Sequence, residues 1–298
     1  RLVGSEMCIR DSLKSSNKTL FSYEIIPPFR GGSIDKVFNL VEELMPFDPP
    51  FIDLTSRSAE AYYQDDGSGN LVEHIRRKRP GTIGISAAIK NKFNVEPVPH
   101  VLCNGFSKEE TEDALIELNY LGIDNILAVR GDELRKHNDN QGLTRNKYAS
   151  DLVKQIKNMN KGKYIEDLVD VNQTNFCVGV GGYPEKHFEA SSFESDIDML
   201  KYKVDCGADY IVSQMFFDNN VFFKFISILT CYFCSIYNHL RIISIHMNNR
   251  GLNYFGDIRR VISRPRVTSI TGRESNLIVN NNMDCASNIK TSRLRHLK

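Results

Sequence analysis

The sequence predicts an α/β fold built on a parallel sheet, and two observations carry this prediction. Between residues 20 and 225, segments with strand character alternate six times with helical segments. The strand segments also lack two-residue alternation of polar and apolar side chains, as expected for a sheet covered on both faces. The pitch of about 35 residues per unit suits either a doubly wound sheet or a (β/α)₈ barrel.

Six segments are predicted as strands because apolar runs end there in turn residues or polar groups. In chain order they are LFSYEII, PFIDLTS, PVPHVLC, DNILAVRGD, NFCVGVGGYP and ADYIVSQMFF.

The predicted helices follow helical spacing of apolar residues and, in places, N-terminal capping signals. Ser33 is a candidate N-cap for SIDKVFNLVEELM, Ser107 and Glu110 form a capping box, and Ser192 lies near the cap of SFESDIDMLKYKVDCG. GNLVEHIRRK, YASDLVKQIKNM and the start of NNVFFKF are also predicted as helical, and TIGISAAI as a short extra element.

The composition is that of a soluble globular protein, with 298 residues, 41% hydrophobic and 25% charged. A net charge of +1 gives no argument for a nucleic-acid partner, and no apolar run approaches the roughly 20 residues that span a bilayer. Seven scattered cysteines predict no disulfide framework and a reducing, cytoplasmic location. Cys231 and Cys234 have metal-ligand spacing without a second pair, so no metal site is expected.

The chain is predicted to divide into three parts. Residues 1–18 lack periodicity and are interpreted as an extension foreign to the fold, residues 19–225 as the α/β domain, and residues 226–298 as an aberrant or disordered tail. From Ile226 onward, eleven basic and three acidic residues give a net charge of +8, against −7 before it. Two interpretations remain open, a basic and partly disordered tail or sequence that does not belong to the fold.

Glu24 is the first candidate catalytic residue, because it lies near the carboxyl end of the first strand. Its sequence neighbours Tyr23, Ile25 and Ile26 are apolar, and apolar surroundings favour the protonated form of a carboxyl group. A protonated carboxyl group can act as a general acid. The alternative is an ordinary strand glutamate that faces solvent.

Polar residues and glycines recur at the same end of the later strands, where α/β folds hold their ligands. They are Thr55, His100, Arg130, Gly131, Asp132, Gly181, Gly182, Tyr183, His187 and Gln214.

Several of these segments together resemble the methylenetetrahydrofolate reductase family, in the form of its bacterial catalytic domain. The segments are FSYEIIPP, PHVLCNGFSKEE, LGIDNILAVRGD, YASDLV, FCVGVGGYPEKHFEA and DMLKYKVDCGADYIVSQMFFD. They occur in the order and spacing of the family between about residues 20 and 225.

The resemblance implies a (β/α)₈ TIM barrel that holds FAD at the carboxyl ends of its strands. NADH or NADPH reduces the flavin, which passes a hydride to methylenetetrahydrofolate in one-carbon and methionine metabolism. Glu24 matches the general acid, Asp132 the acid beside the flavin and pterin rings, and Gln214 the glutamine that contacts both substrates. The flavin-contact positions match Thr55, His100, Arg130, Gly131, Asp132, Ala149, Tyr183, His187, Asp196 and Lys203.

Two physical arguments agree with these matches. Arg130 and Lys203 are able to neutralise a pyrophosphate, and Gly131 allows close approach of the backbone to a ligand. The family's last two strands are not recognisable after Phe225, so the barrel is expected to be incomplete. A catalytically defective flavin- or pterin-binding barrel fragment is therefore the alternative function. The sequence leaves a homo-oligomer open and predicts small-molecule substrates.

Overall fold

The structure is a computed structural model that describes residue 9 and residues 20–58, 60–77, 79–132, 144–233, 241–245 and 258–262. The strands are β1 (Leu20–Ile25), β2 (Phe51–Leu54), β3 (Glu60–Asp65), β4 (Leu71–Arg76), β5 (Glu96–Leu102), β6 (Asn125–Val129), β7 (Cys177–Gly182), β8 (Tyr210–Ser213), β9 (Arg241–Ile245) and β10 (Ile258–Ile262). The α-helices are α1 (Asp35–Leu44), α2 (Thr82–Phe93), α3 (Lys108–Tyr120), α4 (Ala149–Met159), α5 (Phe193–Asp205) and α6 (Asn219–Phe233).

The main sheet closes into a barrel in the order β1-β10-β9-β8-β7-β6-β5-β2. Neighbouring strands are parallel except at β10, which is antiparallel to both β1 and β9. The closed sheet confirms the predicted (β/α)₈ barrel class and excludes the doubly wound alternative, and the predicted incompleteness corresponds to the last unit of the barrel. The departure from a full (β/α)₈ barrel lies at β10.

Strands β9 and β10 occupy the region in which the sequence pattern revealed none. The segment RIISI of β9 lies in a longer, mainly apolar stretch without a clear stop signal, so periodicity alone does not delimit it. The predicted domain boundaries at residues 18 and 225 stay a prediction.

The segment GNLVEHIRRK was predicted as a helix, and this prediction was wrong. Its central part forms β4, which pairs antiparallel with β3 in a separate hairpin. The turn decides the structure, because Gly67 and Gly69 adopt positive φ and the side chain of Asp66 accepts hydrogen bonds from Ser68 and Asn70. Those bonds, the one from the Ser68 side chain first, lower the pKa of Asp66 to about 2.

Helix starts follow the predicted capping chemistry in two of three cases. Ser107 Oγ accepts from the backbone N of Glu110 at 3.0 Å, and the Glu110 carboxylate accepts from the backbone N of Ser107 at 2.7 Å. Ser192 Oγ accepts from Ser195 N at 3.1 Å. At α1, however, Ile34 is the N-cap residue, and Ser33 precedes it. The element predicted as a short extra one is the start of the full helix α2.

Buried side chains fill the barrel interior at the amino-terminal ends of the strands. Tyr210 is fully buried there and donates a hydrogen bond to Ile126 O at 3.0 Å. Its ring lies against the backbone of Gly179, where a Cβ would meet Tyr210 Cε2 at 2.3 Å. Ile9 is buried at the same end, and its backbone N donates to Asn125 Oδ1 at 2.9 Å. The opposite, carboxyl-terminal end is the one left for a ligand.

The cysteines differ from expectation at one position. Cys177 is disulfide-bonded, whereas the sequence predicted no disulfide framework. Cys103 is buried and Cys206 is half-buried, and both are free thiols.

Candidate active site

The predicted polar residues lie at the carboxyl-terminal ends of parallel strands that share one face of the barrel. Glu24 is the second-last residue of β1, and His100 lies near the end of β5. Thr55, Arg130 and Gln214 directly follow β2, β6 and β8. Because parallel strands end at the same side of a barrel, the structure brings these five residues to one rim.

Glu24 faces the barrel interior together with two other titratable residues. Its Oε1 lies 3.8 Å from His100 Nε2, and the same nitrogen lies 3.8 Å from Asp53 Oδ1. The side chains are 13% exposed for Glu24, 9% for His100 and 2% for Asp53. We refer to these three residues as the interior cluster.

The backbone register explains why the interior cluster forms. Glu24 and Asp53 are paired positions of the parallel strands β1 and β2, so their side chains lie side by side on the inner face. Asp53 pairs in turn with Val98 on β5, and His100 is the next inward-facing residue of that strand. His100 Nε2 is buried and has no hydrogen-bond partner in the part of the chain that the structure describes.

The apolar sequence neighbours of Glu24 do not surround it, contrary to the prediction. Tyr23 and Ile25 point outward into the layer formed with α1 and α2. Alternate residues of a strand face opposite sides, so adjacent residues do not surround each other. The surroundings of Glu24 are His100 and Asp53 instead.

Thr55 lies at the carboxyl-terminal end of the barrel, where hydrogen bonding to β1 fixes its position. Its backbone N donates a hydrogen bond to Ile25 O at 3.0 Å, and its hydroxyl lies 3.5 Å from the same oxygen. This contact fixes the turn that leaves β2 beside the end of β1.

The loop after β6 turns at Gly131 and is tied to the end of β5. Gly131 adopts a φ of +81°, a conformation that other residues rarely tolerate. The side-chain amide of Asn104 donates to Gly131 O at 3.0 Å and to Asp132 O at 3.2 Å. The loop is therefore tied to the end of β5.

Arg130 forms a bidentate ion pair with Glu189. Its two terminal nitrogens donate to the Glu189 carboxylate at 2.8 and 2.5 Å. This hydrogen bonding lowers the pKa of Glu189. The planar fork of the guanidinium is thus occupied by the Glu189 carboxylate, which a carboxylate or phosphate of a ligand would have to share or displace.

Asp132 and Gln214 are more exposed than the interior cluster. The side chain of Asp132 is 91% exposed, and its Oδ2 lies 3.7 Å from Arg57 Nη1. Gln214 is also exposed, and its side-chain oxygen accepts a hydrogen bond from Met215 N at 2.9 Å. Their predicted roles beside a bound substrate stay predictions.

The predicted residues after β7 form a connected group. The rings of Tyr183 and His187 meet edge to face at 4.5 Å between centroids. His187 N donates to Asp196 Oδ2 at 2.9 Å, and Lys203 Nζ donates to Gly181 O at 2.9 Å. Burial lowers the pKa of Lys203 and raises that of Tyr183. A buried ammonium of this kind would be stabilised by an anionic ligand.

Ala149 is buried at the first position of α4. That helix begins with a capping box in which Tyr148 N donates to Asp151 Oδ2 at 3.1 Å. The small side chain of Ala149 therefore lies at a fixed helix start, and its predicted contact with a flavin stays a prediction.

The arrangement fits a flat, anionic ligand such as FAD. Among the described residues, a Cβ at Gly181 would meet only the Tyr183 hydroxyl, at 3.9 Å, so that part of the chain leaves the inner surface of β7 open there. Arg130 and Lys203 supply cations next to that surface, and His100 supplies a buried ring nitrogen without a hydrogen-bond partner in the described chain.

In the part of the chain that the structure describes, no group of three or more His, Cys, Asp or Glu residues is arranged to hold a metal ion. Across the same part of the chain, every helix is too short or too polar to cross a membrane.

Three residues of the site were missed by the sequence analysis. The sequence does mark Asp53, because it is an acid inside the apolar run FIDL. Like Glu24, it is the second-last residue of its strand. Asn104 and Glu189 lie in loops, and their pairing with the loop after β6 depends on tertiary structure alone.

Comparisons with known proteins give one consistent match. Residues 8–247 match the family described as methylenetetrahydrofolate reductase. Methylenetetrahydrofolate reductase 1 of Schizosaccharomyces pombe is 31% identical over 70% of this chain and 30% of its own length. Methylenetetrahydrofolate reductase (NADH) 1 of Arabidopsis thaliana is 30% identical over 74% of this chain and 35% of its own length. The 5,10-methylenetetrahydrofolate reductase of Pectobacterium carotovorum is 28% identical over 68% of this chain and 57% of its own length. The chain thus spans about a third of the two eukaryotic relatives.

Proposed function

The chain belongs to the methylenetetrahydrofolate reductase family, and from this premise we propose that it reduces methylenetetrahydrofolate to methyltetrahydrofolate. The proposed reductant is NADH or NADPH, acting through bound FAD in two successive steps. The observation that carries the proposal is the buried contact of Glu24 with His100 at the end of the barrel that faces the proposed flavin residues. The NADH in the name of the plant relative supports a nicotinamide reductant.

The residues proposed to hold FAD lie on two sides of the barrel mouth. Arg130 and Lys203 would neutralise its phosphates, while Tyr183 and His187 offer aromatic surfaces beside them. Thr55, His100, Gly131, Ala149 and Asp196 complete the proposed contacts, with Asp132 beside the rings.

Bound FAD would take a hydride from the nicotinamide and supply it to the folate carbon. Glu24 is proposed to donate a proton to a ring nitrogen of methylenetetrahydrofolate. The bond from that nitrogen to the bridging carbon then breaks, and the other nitrogen forms an iminium ion with this carbon. A hydride added there gives the methyl group, so one proton and one hydride are consumed. Gln214 can donate and accept hydrogen bonds, as a shared substrate pocket requires.

The alternative is a flavin- or pterin-binding barrel that has lost catalysis. The antiparallel strand β10 favours it, because the last unit of the barrel departs from the parallel pattern. Binding of FAD alone would not separate the two proposals, whereas electron transfer would.

The experiment is anaerobic titration of the purified, folded protein, first with FAD and then with NADH or NADPH. We expect flavin absorbance to remain with the protein and to be bleached by one of the two nucleotides. A folded preparation that retains no flavin in excess FAD would overturn the assignment. Flavin that binds but is reduced by neither nucleotide would favour the binding module.

Arg130→Ala tests the proposed phosphate contact. We expect FAD to bind about 10-fold to 150-fold more weakly, since a charge-assisted hydrogen bond is worth roughly 1.5–3 kcal/mol. Fluorescence titration with FAD measures the dissociation constant. Lys201→Ala is the matched control, because it removes a cation that pairs with Asp205 on the surface of α5. Equal affinity of Arg130→Ala and the control would remove Arg130 from the binding site.

A further inference from the structure

Asn104 is hydrogen-bonded to all three residues of the loop after β6, although no step of the proposed mechanism involves it. We propose that Asn104 is a positioning residue that turns the backbone N–H groups of Gly131 and Asp132 toward the edge of a bound flavin ring. The inference deepens the proposed function and rests on it for the identity of the ligand. The hydrogen bonds that carry it lie within this chain.

Four hydrogen bonds meet at Asn104. Its backbone N donates to Arg130 O at 2.9 Å, and its side-chain amide donates to Gly131 O at 3.0 Å and to Asp132 O at 3.2 Å. The fourth bond comes from Ser58 Oγ, which donates to Asn104 O at 3.2 Å. Because both partners of the side chain are carbonyl oxygens, the end of the amide that faces them is the NH₂ group. Asn104 is thereby fixed between the loops that follow β2 and β6.

The direction of the N–H groups follows from that of the carbonyl groups. In a trans peptide unit the C=O and N–H bonds share a plane and point in opposite directions. Arg130 O and the N–H of Gly131 belong to one peptide unit, and Gly131 O and the N–H of Asp132 belong to the next. Because Asn104 binds both oxygens from the β5 side, both N–H groups point away from β5, toward the β7 side of the mouth.

The backbone conformation of Gly131 makes this arrangement possible. Along a regular strand, successive peptide units point to opposite sides, so two consecutive carbonyl oxygens do not face the same neighbour. The φ of +81° at Gly131 reverses the second unit. Successive N–H groups that point the same way form a concave backbone site for a negatively charged or electron-rich atom. Within the described residues, neither of these N–H groups has a hydrogen-bond acceptor.

The space on the β7 side is the one proposed for the flavin. The described part of the chain leaves it open at Gly181, where a Cβ would meet only the Tyr183 hydroxyl, at 3.9 Å. The carboxylate of Asp132 lies beside a cation, with its Oδ2 3.7 Å from Arg57 Nη1. The two N–H groups are therefore directed at an acceptor on the ring edge. Donors fixed in this way stabilise the negative charge that a flavin gains on reduction.

Two substitutions of Asn104 test the proposal. Asn104→Ala removes the side-chain donor without adding a charge, and Asn104→Asp sets a carboxylate against two carbonyl oxygens. We expect both variants to bind oxidised FAD about 5-fold to 150-fold more weakly, the effect of losing two hydrogen bonds. Reduced FAD should lose about 5-fold to 10-fold more affinity than oxidised FAD, because hydrogen bonds to a charged acceptor are stronger. The midpoint potential of the bound flavin should therefore fall in both.

Fluorescence titration and anaerobic potentiometry measure the affinity and the potential. Asn91→Asp is the matched control, because it makes the same change at an exposed position of α2, and it should alter neither quantity. An unchanged potential in Asn104→Ala would overturn the proposal even if FAD bound more weakly, since a merely structural loss affects both redox states alike. A fall in Asn104→Asp alone would be the effect of the added charge and would equally overturn it.

Amide hydrogen exchange, followed by NMR in isotope-labelled protein, tests the arrangement without any turnover. In the absence of FAD we expect slow exchange for the side-chain amide of Asn104 and fast exchange for the N–H groups of Gly131 and Asp132. FAD should slow the exchange of these two groups in the unaltered chain but not in Asn104→Ala. Fast exchange of the Asn104 side chain, or equal protection by FAD in the variant, would contradict the inference. Slow exchange at Asn104 in a folded protein that binds no FAD would overturn the proposed function, and with it the ligand assigned to the N–H groups.

Discussion

We expect Glu24→Gln to slow the reaction of the reduced, FAD-bound protein with methylenetetrahydrofolate by roughly 10²–10⁴-fold. Reduction of the flavin by NADH or NADPH should keep its rate. The reason is that opening the methylene bridge consumes a proton, whereas hydride transfer from the nicotinamide consumes none. Glutamine preserves the shape of the side chain in contact with His100 and removes the proton that can be donated.

Stopped-flow absorbance of the two half-reactions, each started separately without oxygen, measures this difference. Glu43→Gln on the exposed side of α1 is the matched control and should leave both rates unchanged. Equal slowing of both half-reactions would indicate a structural role for Glu24. An unchanged folate half-reaction would remove Glu24 from the chemistry.

We expect Gly179→Ala to destabilise the barrel by about 3 kcal/mol or more, at the upper end for overpacking. The added Cβ would lie 2.3 Å from Tyr210 Cε2 and 2.4 Å from Cζ. Tyr210 is fully buried and its hydroxyl is bonded to Ile126 O, so its ring has no free space to enter. A loss of this size is a large part of the roughly 5–15 kcal/mol that stabilises a typical domain.

Gly181→Ala is the matched control for this substitution. It lies two residues along the same strand, but within the described part of the chain its Cβ would meet only the Tyr183 hydroxyl, at 3.9 Å. Urea denaturation should show a change within about 0.5 kcal/mol for Gly181→Ala. Similar destabilisation by both substitutions would contradict the packing described for Tyr210. The methyl group at Gly181 should, however, weaken FAD binding, because it narrows the open surface at the mouth.

The barrel was predictable because its signals are local and repeated. The strand-helix alternation and the capping box from Ser107 to Glu110 depend on residues close in sequence, and both are present in the structure. The hairpin of β3 and β4 was not predicted, since LVEHIR has spacing that suits either a helix or a strand. There the turn at Asp66 selects the strand.

The candidate site was predictable as a set of strand-end residues, but not as a set of contacts. Sequence neighbours suggested apolar surroundings for Glu24, whereas the fold places His100 and Asp53 beside it from two other strands. The pairing of Arg130 with Glu189 spans 59 residues and leaves no local pattern. Contacts of this kind follow from register and loop geometry, which a single sequence does not encode in a simple form.

The central proposal is that this chain reduces methylenetetrahydrofolate through a bound flavin. Its most direct measurement is an anaerobic titration in which the reduced, FAD-bound protein is mixed with methylenetetrahydrofolate and the products are quantified. The account predicts that the flavin is reoxidised and that one methyltetrahydrofolate forms for each flavin. Flavin that stays reduced in the presence of excess methylenetetrahydrofolate, in a folded protein that NADH or NADPH can reduce, would contradict it.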